Sequence, residues 1–128
     1  MPDAGATPSP LRFVVLRHDG VPDPHFDLMF ERQPGGALRT WRSPVWPLRG
    51  RVRLTPLDDH RRAFLDYEGP VSGGRGQVAR VAAGTFLVQT PDTNTWEFTL
   101  DGAGDVEGIL IRMWRDSRGR ELCDAASM

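Results

Sequence analysis

The sequence predicts an all-β domain, a small closed or nearly closed antiparallel β-barrel with little helix. Three observations predict it. Short apolar or alternating runs recur along the chain, as strands do. Fourteen glycines and eleven prolines fall mainly between those runs, where turns need them. No window carries a 3.6-residue apolar period for more than two turns, so no amphipathic helix is offered. Many short strands with Gly/Pro turns suit a barrel or a sandwich, and a barrel of about six to nine strands is the expectation.

Taken in order, residues 1–10 (MPDAGATPSP) form a Pro-, Ala- and Gly-rich lead-in expected to be disordered. Residues 11–16 are an apolar run with two valines, suited to a buried strand. Phe26, Leu28 and Phe30 alternate with Asp27, Met29 and Glu31. Pro34-Gly35-Gly36 then turns the chain, so a hairpin into 37–41 is expected. Residues 51–54 alternate again, and 78–81, 85–89, 96–100 and 108–114 supply four further strand candidates. Arg61–Leu65 offers one helical turn at most. The barrel domain is expected to span 11–116, and 117–128 to be a polar, loose C-terminal tail.

Composition excludes several chemistries. A chain of 128 residues buries roughly two-thirds of its unfolded surface, enough for a core without staples. Cys123 is the lone cysteine, which excludes an intrachain disulfide and a C-x-x-C metal site. All sixteen basic residues are arginine. With no lysine there is no Schiff base, no Walker A loop and no covalent lysyl–nucleotide intermediate. Net charge is −1 and the pI about 6.3, so any nucleic-acid contact must be local or metal-assisted rather than a broad basic face. No apolar run reaches the roughly 20 residues that span a bilayer, and no signal peptide is visible at the start. A cytoplasmic protein without a membrane contact is expected.

The three histidines fall in two short segments. In a strand, residues i and i+2 share a face, so His25-Phe26-Asp27 presents an imidazole beside a carboxylate with Phe26 on the other face. His18 ends the preceding strand, and the intervening DGVPDP connection can return it to Asp27. His60, after Asp58-Asp59, can close the set from a third segment. Two imidazoles and a carboxylate suit Mn²⁺, Zn²⁺ or Fe²⁺ by ligand type. On residues alone the same groups also read as solvated turn residues with no chemistry.

The stretch His25-Phe26-Asp27-Leu28-Met29-Phe30-Glu31, with His18 behind Phe13-Val14-Val15, resembles the signature of the 3′-phosphoesterase domain family of bacterial DNA ligase D. Trp41 and Pro44 sit where that family has a Trp-x-x-Pro turn. Asp58-Asp59-His60, then Phe64-Leu65-Asp66-Tyr67-Glu68-Gly69, resembles its Glu-Asp-His and Tyr-x-Asp-Phe-Glu-Gly segments. Gly73-Gly74-Arg75-Gly76 falls at its Gly-rich turn, and the likeness runs from about Phe13 to Arg115 through order and spacing. The resemblance implies a stand-alone, divergent member with a small β-barrel fold and a divalent metal, Mn²⁺ or else Zn²⁺. It implies action on 3′ ends of nucleic acid in DNA end repair, beside a separate ligase or other repair proteins. It implies His18, Asp27 and His60 as metal ligands, with His25 facing the scissile phosphate.

Three positions depart from that pattern. Met29 stands where the family has an arginine, Phe64 where it has a tyrosine, and Val45 where it often has a lysine. An arginine grips phosphate oxygens bidentately and methionine does not. Arg51 and Arg53, with Arg61 or Arg62, are the expected substitutes for that grip. Two functions of different class therefore stand open: a metal-dependent 3′-phosphoesterase, or a catalytically weakened metal- and nucleic-acid-binding module on the same barrel. A small-molecule-binding barrel is a third.

Overall fold

The computed structural model describes residues 10–92, 94–102 and 108–127; the expected lead-in lies almost wholly outside them. Among the described residues there are nine strands: β1 (Leu11–Asp19), β2 (His25–Glu31), β3 (Leu38–Ser43), β4 (Gly50–His60), β5 (Gly69–Pro70), β6 (Gln77–Asp92), β7 (Thr95–Gly102), β8 (Ile109–Arg115) and β9 (Glu121–Ser127). A single 3-10 turn, Arg62–Leu65, is the only helical element among them. Every pairing is antiparallel, in the order β1-β2-β3-β4-β9-β8-β7-β6, and β6 returns to β1 to close an eight-stranded barrel. Closure removes the free edges that an open sheet would expose. The two-residue β5 adds to β6 outside the ring. No helix among the described residues is long and apolar enough to cross a membrane.

The β2–β3 hairpin forms where its turn residues predict it. Gly35 takes a φ of +79°, which glycine adopts without steric cost, and the Gly36 amide donates to the Gln33 carbonyl at 2.8 Å. That turn fixes the register: Glu31 faces Leu38, Met29 faces Thr40 and Asp27 faces Arg42. Residues 78–81 and 85–89, read as two strands, are one long strand. β6 pairs with β1 along its first half and with β7 along its second, and Gly84 belongs to both ladders.

Residues 117–128 are not a loose tail. Glu121–Ser127 pairs with both β4 and β8, so the barrel domain runs past 116 to 127. Cys123 on β9 is fully buried in the interior, and burial pushes its thiol pKa up to about 11, which leaves it an inert core residue.

The interior is aromatic. Phe30 lies at its centre, with ring centroids 4.8 Å from Phe98, 5.1 Å from Phe86, 5.8 Å from Trp41 and 6.0 Å from Phe13. Phe26 packs at the margin of this cluster. Trp114 is half-buried on the outer surface with the Arg51 guanidinium 5.5 Å over its ring. Its neighbours Ile111 and Met113 take the interior positions instead.

A second apolar layer lies on the outside of the barrel. Val14, Leu16, Met29, Leu38 and Val78 face outward and are covered by Leu65, Phe64 and Val71 from the 61–76 segment. β2 is therefore buried on both faces, which explains why its polar residues Asp27 and Glu31 are each only 4% exposed. Glu31 pins the cover. Its carboxylate accepts the Arg12 amide at 2.6 Å, the Gly35 amide at 3.2 Å and the Arg62 guanidinium from the 3-10 turn. Burial pushes its pKa up, but Arg62 and the two amides outweigh that and hold it below the ordinary 4.5.

Two outcomes are expected for stability. Phe30→Ala removes the hub of the interior and should cost on the order of 3–5 kcal/mol, read from denaturant unfolding. Glu31→Gln should cost about 1.5–3 kcal/mol at neutral pH, the worth of its charged hydrogen bonds. Because folding lowers the Glu31 pKa, its contribution is complete above the unfolded value near 4.5 and is lost as pH falls through the lower folded value. The gap between wild type and Glu31→Gln should therefore shrink in acid and close once Glu31 is protonated in both states.

Candidate metal centre

His18, His25 and Asp27 meet on the outer wall of the barrel, at the end of the apolar groove under the 61–76 segment. The β1–β2 ladder sets His18 directly opposite His25, and alternation puts Asp27 one rung along on the same face. One donor atom from each of the three lies within 4.8 Å of the others. His18 Nδ1 is 3.6 Å from Asp27 Oδ2, and His25 Nε2 is 3.3 Å from Asp27 Oδ1. His25 and Asp27 are buried, and His18 is 16% exposed.

The far nitrogens of both rings fix what faces inward. His18 Nε2 lies 2.6 Å from the Arg75 carbonyl, and His25 Nδ1 lies 2.7 Å from the Asp23 carbonyl. A carbonyl oxygen only accepts, so each of these nitrogens carries the proton. With one proton on each ring, His18 Nδ1 and His25 Nε2 are left as acceptors, 3.6 Å and 3.3 Å from a carboxylate that also only accepts. His25 Nε2 and Asp27 Oδ1 are buried without any hydrogen-bond partner. Acceptors facing acceptors are satisfied by a cation between them. Donors about 2.1 Å from one ion stand about 3.0–3.4 Å apart in tetrahedral or octahedral order; the 3.3 Å between His25 and Asp27 falls in that range, and the three-residue group is held to within 4.8 Å. Backbone carbonyls holding the outer nitrogens are the support that metal-bound histidines need.

Gly76 makes the His18 contact possible. A Cβ there would sit 2.1 Å from the Asp19 carbonyl oxygen, so only glycine lets the 73–76 turn close against the end of β1 and bring the Arg75 carbonyl to His18.

The trio lines a cavity of about 530 Å³ shared with Met29, Arg42, His60, Arg61, Phe64 and Arg75. His60 reaches the same cavity but does not join the close group. Its Nδ1 lies 3.0 Å from the Asp58 carbonyl, and its ring meets Phe64 edge-on at 5.6 Å. Of the expected ligands His18, Asp27 and His60, the first two stand in the close group, where His25 is the third member, and His60 lines the cavity beside it. Asp59 on the rim is held by Arg32 at 2.6 Å, which keeps its carboxyl below the usual range.

Arg51 and Arg53 are not at this site. The β4 register pairs them with Asp124 and Leu122 of β9, and Arg51 stacks over Trp114 instead. Alternation gave their face but not their neighbours. Val45 is exposed and does not line the cavity. Met29 does line it, yet it is 1% exposed within the outer apolar layer. Arg42, absent from the candidates drawn from sequence, faces Asp27 across β2–β3, and counting rungs back from Gly35 would have found it. No protein-family model and no curated protein matches the chain.

Proposed function

We propose that the chain is a metal-dependent phosphoesterase-like protein acting on 3′ phosphate ends of nucleic acid. One observation carries the reading: two imidazoles, each tied by its outer nitrogen to a backbone carbonyl, stand with their inner nitrogens 3.6 Å and 3.3 Å from the oxygens of a buried carboxylate and make no hydrogen bond to it. The residues fit a divalent cation, with His18 Nδ1, His25 Nε2 and Asp27 as its protein ligands. Mn²⁺ suits the mixed nitrogen and oxygen set, and Zn²⁺ suits it nearly as well. A bound ion polarises a phosphoryl oxygen and acidifies water. His60, which lines the same cavity with Nδ1 held by the Asp58 carbonyl, offers Nε2 as the proton carrier for the water or the leaving oxygen. The choice of a 3′ end rests on the resemblance carried by 25–31 and 58–69. The net charge of −1 agrees with an end-on contact, not a duplex-wide one.

A second reading, a metal-holding module without turnover, draws on Met29. That side chain is packed among Val14, Leu38 and Leu65 where the resembled family places a phosphate-gripping arginine.

Metal binding is read by melting. Mn²⁺ at ~100 times its dissociation constant should add about 2.7 kcal/mol of stability, and Asp27→Ala should abolish that gain. Activity is read by phosphate release from a 3′-phosphorylated primer–template with Mn²⁺. His60→Ala should keep the metal-induced stabilisation while losing about 10²–10⁴ in rate, as the loss of a proton carrier does. Asp27→Ala releasing phosphate as fast as wild type defeats the phosphoesterase reading. Mn²⁺ stabilisation with no release selects the module.

A further inference from the structure

We infer that Arg42 is the oxyanion-binding residue of this cavity, gripping a tetrahedral phosphate from β3 where the family pattern would place an arginine on β2. The inference deepens the phosphoesterase reading and rests on it for the identity of the anion.

Arg42 stands directly opposite Asp27 in the β2–β3 ladder, a position at which opposite charges ordinarily pair. They do not pair here. Asp27 turns to the imidazoles, and among the described residues Arg42 makes no ion pair within 4 Å and no side-chain hydrogen bond. Its Nε is buried and lacks an acceptor. A buried charged donor left unmet costs on the order of 1–3 kcal/mol or more, so the site is built to be completed by an acceptor. The guanidinium edge formed by Nε and one Nη matches two oxygens of a phosphate.

The surroundings favour an anion. Arg61 and Arg75 line the same cavity, and among the described residues neither pairs with a carboxylate; the Arg75 guanidinium bonds only Ser72. The acids on the wall are Asp27, engaged by His18 and His25, Asp59, engaged by Arg32, and Asp58. Elsewhere, among the described residues, Arg12, Arg17, Arg32, Arg62, Arg112 and Arg120 are ion-paired and other arginines are not, so what sets Arg42 apart is its buried Nε without an acceptor. Three guanidinium groups without a carboxylate partner, those of Arg42, Arg61 and Arg75, thus line the cavity where a metal-bound phosphoryl group would sit.

The test is calorimetric titration of inorganic phosphate into the full chain, with and without Mn²⁺, beside a separate Mn²⁺ titration. Arg42→Met keeps length and apolar volume while removing every donor. It should weaken phosphate binding about tenfold to a hundredfold and leave Mn²⁺ affinity within about twofold. Arg42→Lys keeps the charge but loses the fork, and should fall between the two; it carries the test if Arg42→Met does not fold. Phosphate affinity in Arg42→Lys and any folded Arg42→Met equal to wild type overturns the assignment. Wild type that takes up no Mn²⁺ defeats the metal reading alone, since the metal-free phosphate titration still decides Arg42.

Discussion

The outer layer of this protein depends on one buried carboxylate. A barrel wall normally shows water its outer face, and β2 instead buries both. That is possible only if a separate piece of chain stays pressed against the wall. Glu31 holds it there by binding the start of β1, the β2–β3 turn and the 3-10 turn at once. Arg12 adds a second tie through Asp66 at 2.9 Å, though both partners are substantially exposed and this pair counts for less. With the cover in place, Leu65 and Phe64 seal the groove, and the Gly-rich turn at 73–76 reaches His18. The site is therefore a product of the cover as much as of the barrel.

The outer face of β1–β2–β3 reads as a ladder whose character changes rung by rung. His18 faces His25 at one end. Leu16, Asp27 and Arg42 form the next rung, and Val14, Met29 and Thr40 the one after. Glu31 and Leu38 occupy the far end, where the carboxylate anchors the cover. Polar chemistry is thus confined to two rungs at the open end, and the apolar rung at Met29 separates it from the structural carboxylate. An arginine at position 29 would have to displace methionine from packing with Val14 and Leu65, at the cost of charging a buried site. Arg42 brings its guanidinium to the cavity from β3 without displacing that packing, although its Nε is buried.

Much of this was legible in the sequence, and the missing parts share one cause. Period-two alternation gave β2 its two faces, and the Pro34-Gly35-Gly36 turn gave the hairpin. The pairing of His25 with Asp27 on one face needed nothing more. β9 was missed because Ala125, Ala126 and Ser127 carry little strand signal of their own, and its partner β4 lies far off in sequence. The same non-local pairing misdirected the reading of Arg51 and Arg53. Local alternation tells which face a side chain takes, but only closure of the ring tells what stands beside it.

Closure also explains why the nearest third donor is His25 and not His60. Cross-strand neighbours in a hairpin are held by a continuous backbone ladder, so the His18–His25 spacing is set by β-sheet geometry itself, with ring centroids 4.9 Å apart. His60 comes from the last residue of β4, beyond a register shift between Leu38 and Thr40 of β3. A bulge re-aims the side chains beyond it. The His60 imidazole lies edge-on against Phe64. Which histidines gather at Asp27 thus comes from which of them sit on an unbroken ladder.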